Sequence, residues 1–172
     1  MRQKIGIDTD TGAILLDRLE RAIGVWTATV YDGDKEFNDC GRCITPILFE
    51  VQRRNLITTV GKGAIVLDRS FGLAAATAIA GTAVGTSATP AAVGDTTITG
   101  AVYKAFASLP TRTGLTVTAL TSYLTSEANI SIQEAGLLTA SAGNLFNRVA
   151  PFLSFTKTSA VALDITSAVT QQ

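Results

Sequence analysis

The C-terminal part of the chain is written in period two. Residues 115–124 (LTVTALTSYL), 129–138 (NISIQEAGLL), 145–155 in part and 161–170 (VALDITSAVT) alternate apolar with polar side chains. Successive side chains of a strand point to opposite faces, so each segment buries one face and leaves the other outside. Turn residues separate them at 125–128, 140–144 and 156–160. β-rich segments at this turn spacing predict an antiparallel β-sandwich.

The N-terminal part is mixed. Residues 5–10 read as a short strand, with a turn at Asp10-Thr11-Gly12. Residues 13–23 (AILLDRLERAI) place Ile14, Leu15, Leu19, Ala22 and Ile23 along a helical stripe that Gly24 ends. Residues 25–31 (VWTATVY) alternate again, and Asp32-Gly33-Asp34 signals a turn. Residues 44–52 (ITPILFEVQ) read as a strand in which Pro46 argues for an edge or a bulge. Residues 55–71 fit either a helix interrupted by Gly61 and Gly63 or a strand followed by a short helix. Residues 75–84 are expected to be extended, 85–94 a loop of small residues, and 97–107 a strand or a helix. The expected fold is therefore mainly β: an N-terminal mixed segment with a helix over 1–72, possessing an attachment or oligomer-arm character, and a β-sandwich assembly domain over 73–172.

Charge sharpens this division. Residues 1–72 hold 10 Lys+Arg and 10 Asp+Glu, and residues 73–172 hold 4 and 4. A free soluble domain carries roughly 25% charged residues. The second segment must therefore coat itself with Thr, Ser and Gly, or be covered by partners. The net charge of +0 favours neither nucleic acid nor an anionic membrane. Residues 70–94 lack charge but are rich in Ala, Gly and Thr, whereas membrane insertion is driven by Leu, Ile, Phe and Val. Asp8 and Asp10 interrupt any apolar core of a signal peptide.

Candidate chemistry is sparse. The chain has no His, which removes the commonest general base and the commonest neutral metal ligand. Cys40-Gly41-Arg42-Cys43 is a single C-x-x-C, and one chain offers no further Cys to complete a four-ligand zinc site. It reads as a pair of structural thiols, with a local disulfide or a metal or redox site as the alternatives. Asp10-Thr11-Gly12 matches three residues of the aspartic-protease signature, in which paired aspartates activate water. A turn opening a helix accounts for it as well. Asp32, Asp34, Glu36 and Asp39 cluster, but without the glycine and glutamate positions of a calcium loop, so they read as a solvated hairpin tip. Val60-Gly61-Lys62-Gly63 is not a phosphate-binding loop, and Glu50 and Asp68 dilute the basic set Arg53, Arg54, Lys62 and Arg69. Glu134, in an apolar strand beside Gly136, has no second carboxylate to work with. It is expected to pair with Arg148 or Lys157. No catalytic, cofactor-binding or metal residues are assigned, and no cofactor is expected.

Residues 75–170 resemble a segment of bacteriophage virion proteins, including tail-collar and tail-fibre attachment domains. The resemblance is carried by Ile132, Glu134, Gly136, Leu137 and Leu138, then Arg148, then Lys157-Thr158, then the alternating 163–170. The upstream stretch 81–103, with its Ala-Pro-Ala-like and Gly-Asp-Thr parts, adds to it. Ser167-Ala168 stand where the family's final strand usually has an aromatic, and residues 1–70 match no segment of that kind. The resemblance implies a non-enzymatic structural subunit, located in the virion, whose partners are other particle proteins and copies of itself. It implies no nucleic acid, membrane or small-molecule substrate. Strand edges such as 25–31 or 161–170 are then expected to join a neighbour's sheet. A capsid decoration protein on the head surface is one alternative. A carbohydrate-binding β-sandwich is another, which would need exposed aromatics, and the chain's single Trp is Trp26. A dimeric aspartic protease built on Asp10 is the enzyme alternative.

Overall fold

The computed structural model of the protein describes residues 23–62 and 78–170. Twelve strands follow in chain order: β1 (Ile23–Asp32), β2 (Ile47–Arg54), β3 (Leu56–Ile57), β4 (Gly81–Gly85), β5 (Val102–Ala105), β6 (Thr111–Thr113), β7 (Thr116–Tyr123), β8 (Ser131–Ile132), β9 (Glu134–Leu138), β10 (Leu145–Val149), β11 (Phe155–Thr156) and β12 (Val161–Thr170). They form two five-stranded sheets, in the orders β2-β1-β12-β7-β6 and β3-β10-β9-β4-β5, plus the pair β11-β8. All the strand pairs are antiparallel. The expected β-sandwich is thus present.

Side-chain alternation builds the core. In β1, Trp26, Ala28 and Val30 face inward, and β12 sets Ser167, Ile165 and Leu163 directly opposite them. β7 continues the same rows with Ala119, Thr121 and Tyr123. The second sheet answers with Val84, Ala135, Leu137, Phe146 and Val149 in the same apolar cluster. Trp26 meets Phe152 edge-on, with ring centroids 5.9 Å apart at 78°. The two sheets are also tied by hydrogen bonds. Thr121 donates to Thr82 Oγ1 at 2.9 Å, and the Tyr123 hydroxyl donates to the Thr82 carbonyl at 3.0 Å.

Three sequence expectations change. First, the described part of 1–72 does not stand apart. β1 lies between β2 and β12, and β3 pairs with β10, so both belong to the sandwich. The helix over 13–23 and the strand over 5–10 lie outside the described residues, except Ile23, which opens β1. Second, segments 25–31 and 161–170 are not edges. They are the central strands β1 and β12, paired along their length. Their apolar faces close the core, which explains why they read so clearly. Third, the expected strand 129–138 is two strands. Gln133 donates its N–H to Gly85 O at 2.9 Å and accepts from Phe152 N at 2.7 Å, so the chain changes partners there, from β11 to β4 and β10.

The ambiguous stretch from 55 resolves, within the described residues, as β3 followed by a helical turn. Thr58 opens that turn: its Oγ1 accepts from Gly61 N at 3.0 Å, and its carbonyl accepts from Lys62 N at 3.0 Å. Residues 97–107 contain β5.

Candidate functional site

The outer faces of the two sheets are the candidate surfaces, and they are finished differently. On the second sheet, the connection 86–101 folds across the face. Its ends close on each other through the Thr86 N–H to Thr99 O bond of 2.9 Å, giving an Ω-like strap. Ile98 reaches down to Ala83, Leu138 and Leu145, forming a second apolar cluster with Tyr103 at its margin. Two glycines make the room. A β-carbon at Gly136 would lie 2.6 Å from Leu145 Cδ1 and 2.9 Å from Ile98 Cδ1, and one at Gly85 would lie 2.4 Å from Ile98 Cγ2.

Glu134 and Arg148 hold the strap down. Both side chains project from this face, Glu134 on β9 and Arg148 on β10, and both are buried. Arg148 Nε donates to Glu134 Oε2 at 2.6 Å. Glu134 Oε1 accepts the strap N–H groups of Thr99 at 2.8 Å and Ser87 at 3.1 Å. The guanidinium continues to Asp95 Oδ2 at 2.7 Å and to the Thr89 carbonyl at 3.0 Å. Burial acts to raise the Asp95 pKa, but the Ala92 N–H and the Arg148 guanidinium outweigh it and hold the carboxyl below the ordinary aspartate value. Of the two expected partners of Glu134, the structure places Arg148 on it and Lys157 elsewhere. Every oxygen of this carboxylate is engaged, so the arrangement positions a loop.

Lys157 is a second staple. It is 1% exposed, and its Nζ donates to the Leu124 carbonyl at 2.8 Å, Asn129 Oδ1 at 3.1 Å and the Thr125 carbonyl at 3.2 Å. Burial pushes its pKa down, against the attraction of Asp34 and Glu127. The turn 124–129 is thereby tied to the turn that precedes β12.

The outer face of the first sheet carries no strap among the described residues. Its rows are hydroxyl-rich: Thr27 opposite Thr166, Thr111 opposite Thr118, and Thr113 opposite Thr116 opposite Thr170. One ion pair interrupts them. Lys35 Nζ lies 2.7 Å from Asp164 Oδ1 and 3.1 Å from Ser122 Oγ, and sits 5.7 Å from the Tyr31 ring centroid. Burial and the Asp164 carboxylate push the Tyr31 phenol up to about 12.

Lys35 belongs to an arm, residues 33–46, between β1 and β2. Asp34 anchors its base, accepting the Thr125 N–H at 2.8 Å and the Thr125 hydroxyl at 3.0 Å; the backbone bond comes first in holding its carboxyl below the ordinary value. Asn38 Oδ1 shapes the tip by accepting from the N–H groups of Arg42 at 2.9 Å and Cys40 at 3.1 Å. Cys40 and Cys43 are free thiols there. Phe37, Ile44, Ile47 and Leu48 are exposed along the arm and at the start of β2. The acidic cluster is thus split: Asp34 is committed to Thr125, while Asp32, Glu36 and Asp39 are exposed. Among the described residues, no group of three or more Cys, Asp or Glu side chains is placed to hold a metal ion.

The remaining candidates fall in different places. Arg53 and Arg54 are exposed on β2, far in character from a convergent phosphate site, and Arg69 and Asp68 lie outside the described residues. Asp10, Thr11 and Gly12 also lie outside them. Trp26 is wholly buried, so the chain's single Trp offers no platform to a sugar. Sequence reasoning missed Asp95, although it is the only charged residue between Arg69 and Lys104, which is a signal in itself. It also missed the apolar arm, whose signal was Phe37 amid acidic residues. No helix among the described residues is long and apolar enough to cross a membrane.

Comparison of this chain with protein-family models, with curated proteins and with solved structures finds no match.

Proposed function

We propose that this chain is a non-enzymatic structural subunit of a bacteriophage particle, in the tail, neck, baseplate or fibre attachment, binding other virion proteins and copies of itself. The observation that carries the reading is where the charge goes. Residues 73–172 have eight charged side chains. Arg148, Glu134 and Asp95 bind one another, Lys104 pairs with Glu127, Asp164 pairs with Lys35, and Lys157 is buried among carbonyls. Only Arg112 is left as a fully surface charge, turned to the Gly114 carbonyl. The surface of this half is therefore Thr, Ser, Ala and scattered apolar groups. This part of the sandwich surface matches the charge-depleted centre of protein interfaces, while the exposed charges gather on the arm and β2. The strap sequence and the Glu134, Gly136, Arg148 and Lys157 positions are also those on which the resemblance to virion proteins rests, and each has a packing task here.

Mass spectrometry of purified particles produced by the genome that encodes this chain tests the reading. Its peptides are expected in the particles, in fixed proportion to the other structural proteins. Their absence from particles in which the chain is expressed overturns it. With Trp26 buried, the carbohydrate-binding alternative has to rest on another exposed aromatic such as Phe37. A decoration protein on the head differs only in address, and labelling of the intact particle separates the two.

A further inference from the structure

β2 carries an open edge. It forms one edge of the first sheet, hydrogen-bonded to β1 on one side, and no strand among the described residues pairs with its other side. Antiparallel ladders alternate, so every second residue turns its backbone groups to the neighbour and the rest turn theirs away. Asn55 N–H donates to Gly24 O at 3.1 Å across the β1–β2 pair, which sets the phase. Val51 and Arg53 therefore face β1, and Glu50, Gln52 and Arg54 turn their N–H and C=O groups to the open edge. The Gln52 carbonyl confirms the phase, since it accepts from the Arg53 guanidinium at 2.9 Å rather than from β1.

The edge is self-complementary in charge. Glu50, Gln52 and Arg54 lie on the same, outer face of the strand, and all three are exposed. Two copies paired antiparallel about Gln52 set Glu50 of each opposite Arg54 of the other, with Gln52 against Gln52. Both ion pairs then fall on hydrogen-bonded positions of the new ladder. A slip of two residues in one direction centres Val51 and sets Leu48 against Arg54. A slip of four sets Glu50 against Glu50. Opposite charges directly across a ladder attract and like charges repel, so the charges select one register out of those the backbone permits. Charged residues usually guard an edge against pairing. Here their spacing of four makes the guard selective for the edge's own copy.

We infer that β2 is the strand through which a second copy of this chain docks, antiparallel and with Gln52 at a two-fold axis, so that two sandwiches share one continuous sheet. The contact is isologous, with the same patch used on both sides. The exposed Ile47 and Leu48 lie at the start of the same strand and supply apolar surface beside it. The inference rests on the reading of the chain as a self-assembling subunit and names the surface.

Two kinds of variant test it. The first is made in a background carrying Cys40→Ser and Cys43→Ser to silence the native thiols. There, Gln52→Cys faces itself across the axis at a Cα spacing of about 5.5 Å, which a disulfide can span. Mild oxidation is expected to give a covalent dimer on a non-reducing gel, while Thr113→Cys, exposed on the opposite edge strand, stays monomeric. Glu50→Arg and Arg54→Glu are each expected to weaken dimerisation, measured by sedimentation, on the order of tenfold. The double exchange restores it, which a loss of folding does not. A wild-type chain that sediments as a monomer at every concentration, a Gln52→Cys dimer whose introduced thiol stays reduced, or a double exchange that fails to restore pairing overturns the inference. Presence in particles without cross-linking at position 52 removes this strand assignment and leaves the particle reading standing. Cross-linking by a chain absent from particles does the reverse.

Discussion

The two outer faces of this sandwich solve the same problem in opposite ways. A sheet that packs one face on the core must still do something with the other. The second sheet covers its outer face with a strap from its own chain and fixes it with buried charge. The first sheet finishes its outer face with hydroxyl-rich rows, and no strap among the described residues crosses it. Among the described residues, one sheet is closed by its own chain and the other is open.

The largest effect is expected at the covered face. Arg148→Ala leaves the Glu134 carboxylate buried beside two amide donors and no cation. Breaking such a pair costs about 3–5 kcal/mol, to be read from urea unfolding. Replacing both members by apolar residues, Glu134→Leu with Arg148→Met, is expected to recover part of the loss, because no charge is then stranded, although the Ser87 and Thr99 amides lose their acceptor. Hydrogen exchange at those two amides reports whether the strap lifts. A double variant as unstable as Arg148→Ala, or an unchanged exchange rate, would contradict the staple.

A smaller effect is expected at Asp95. Asp95→Asn keeps an acceptor for the Ala92 N–H but loses the charge facing Arg148, at a cost of about 1–2 kcal/mol near neutral pH. The sign with pH follows from its depressed pKa. The folded state binds fewer protons than the unfolded state around the ordinary value of 3.8, so the contribution is full above that value and disappears as the pH falls through the lower, folded value. Wild type is therefore expected to lose its advantage over Asp95→Asn in acid. A stability gap that stays constant from neutral pH into strong acid would assign Asp95 no ionic role.

How much of this contrast was legible in the sequence depends on the range of the interactions. β12 and the interior of β7 could be read because local alternation and core packing agree from Leu163 to Thr166. The turn residues were equally local. The edge position of β2 was signalled by Pro46, but the central position of β1 was not legible, because β1 carries the same pattern whether it has one neighbour or two. Only the long-range pairing with β2 and β12 decides that. The staple was half legible. Glu134 in an apolar strand demanded a cation, yet both Arg148 and Lys157 satisfied that demand on paper. The bulge near Leu145–Asn147 is what turns Arg148 to the outer face beside Gly136. Asp95 was overlooked because a loop of small residues gives no periodicity with which to weigh one charge.

On the open face, the single ion pair is expected to contribute modestly. Lys35→Met removes the bonds to Asp164 and Ser122 while keeping an apolar stem over the Tyr31 ring. A cost of about 1 kcal/mol is expected, since the pair is mostly shielded from water but has no buried charge network behind it. The arm's base is still held by Asp34 and Thr125, so limited proteolysis is expected to cut within residues 36–43 faster but not to degrade the sandwich. General degradation would mean the arm is part of the cooperative core.

The smallest effect on stability is expected to have the largest effect on assembly. Thr166 sits mid-strand in β12 on the open face, between Thr27 and Leu120. Thr166→Lys adds a long, solvated side chain to a face that nothing from the described chain covers, so folding should change by no more than about 0.5 kcal/mol. A lysine ammonium at this position, flanked by Thr27 and Leu120, must be desolvated when a neighbour covers it. Binding of neighbours to this face should therefore fail, while the β2 edge, on a different strand, still pairs. Ala83→Lys is the matched change on the covered face, where Ala83 is 0% exposed beneath the strap. It should unfold the strap or the domain. If Thr166→Lys enters particles as well as wild type does, the open face is not a contact surface, and the hydroxyl rows need another reason to be free of charge. If it destabilises as severely as Ala83→Lys, the face is not open at all, and the distinction between the two sheets collapses.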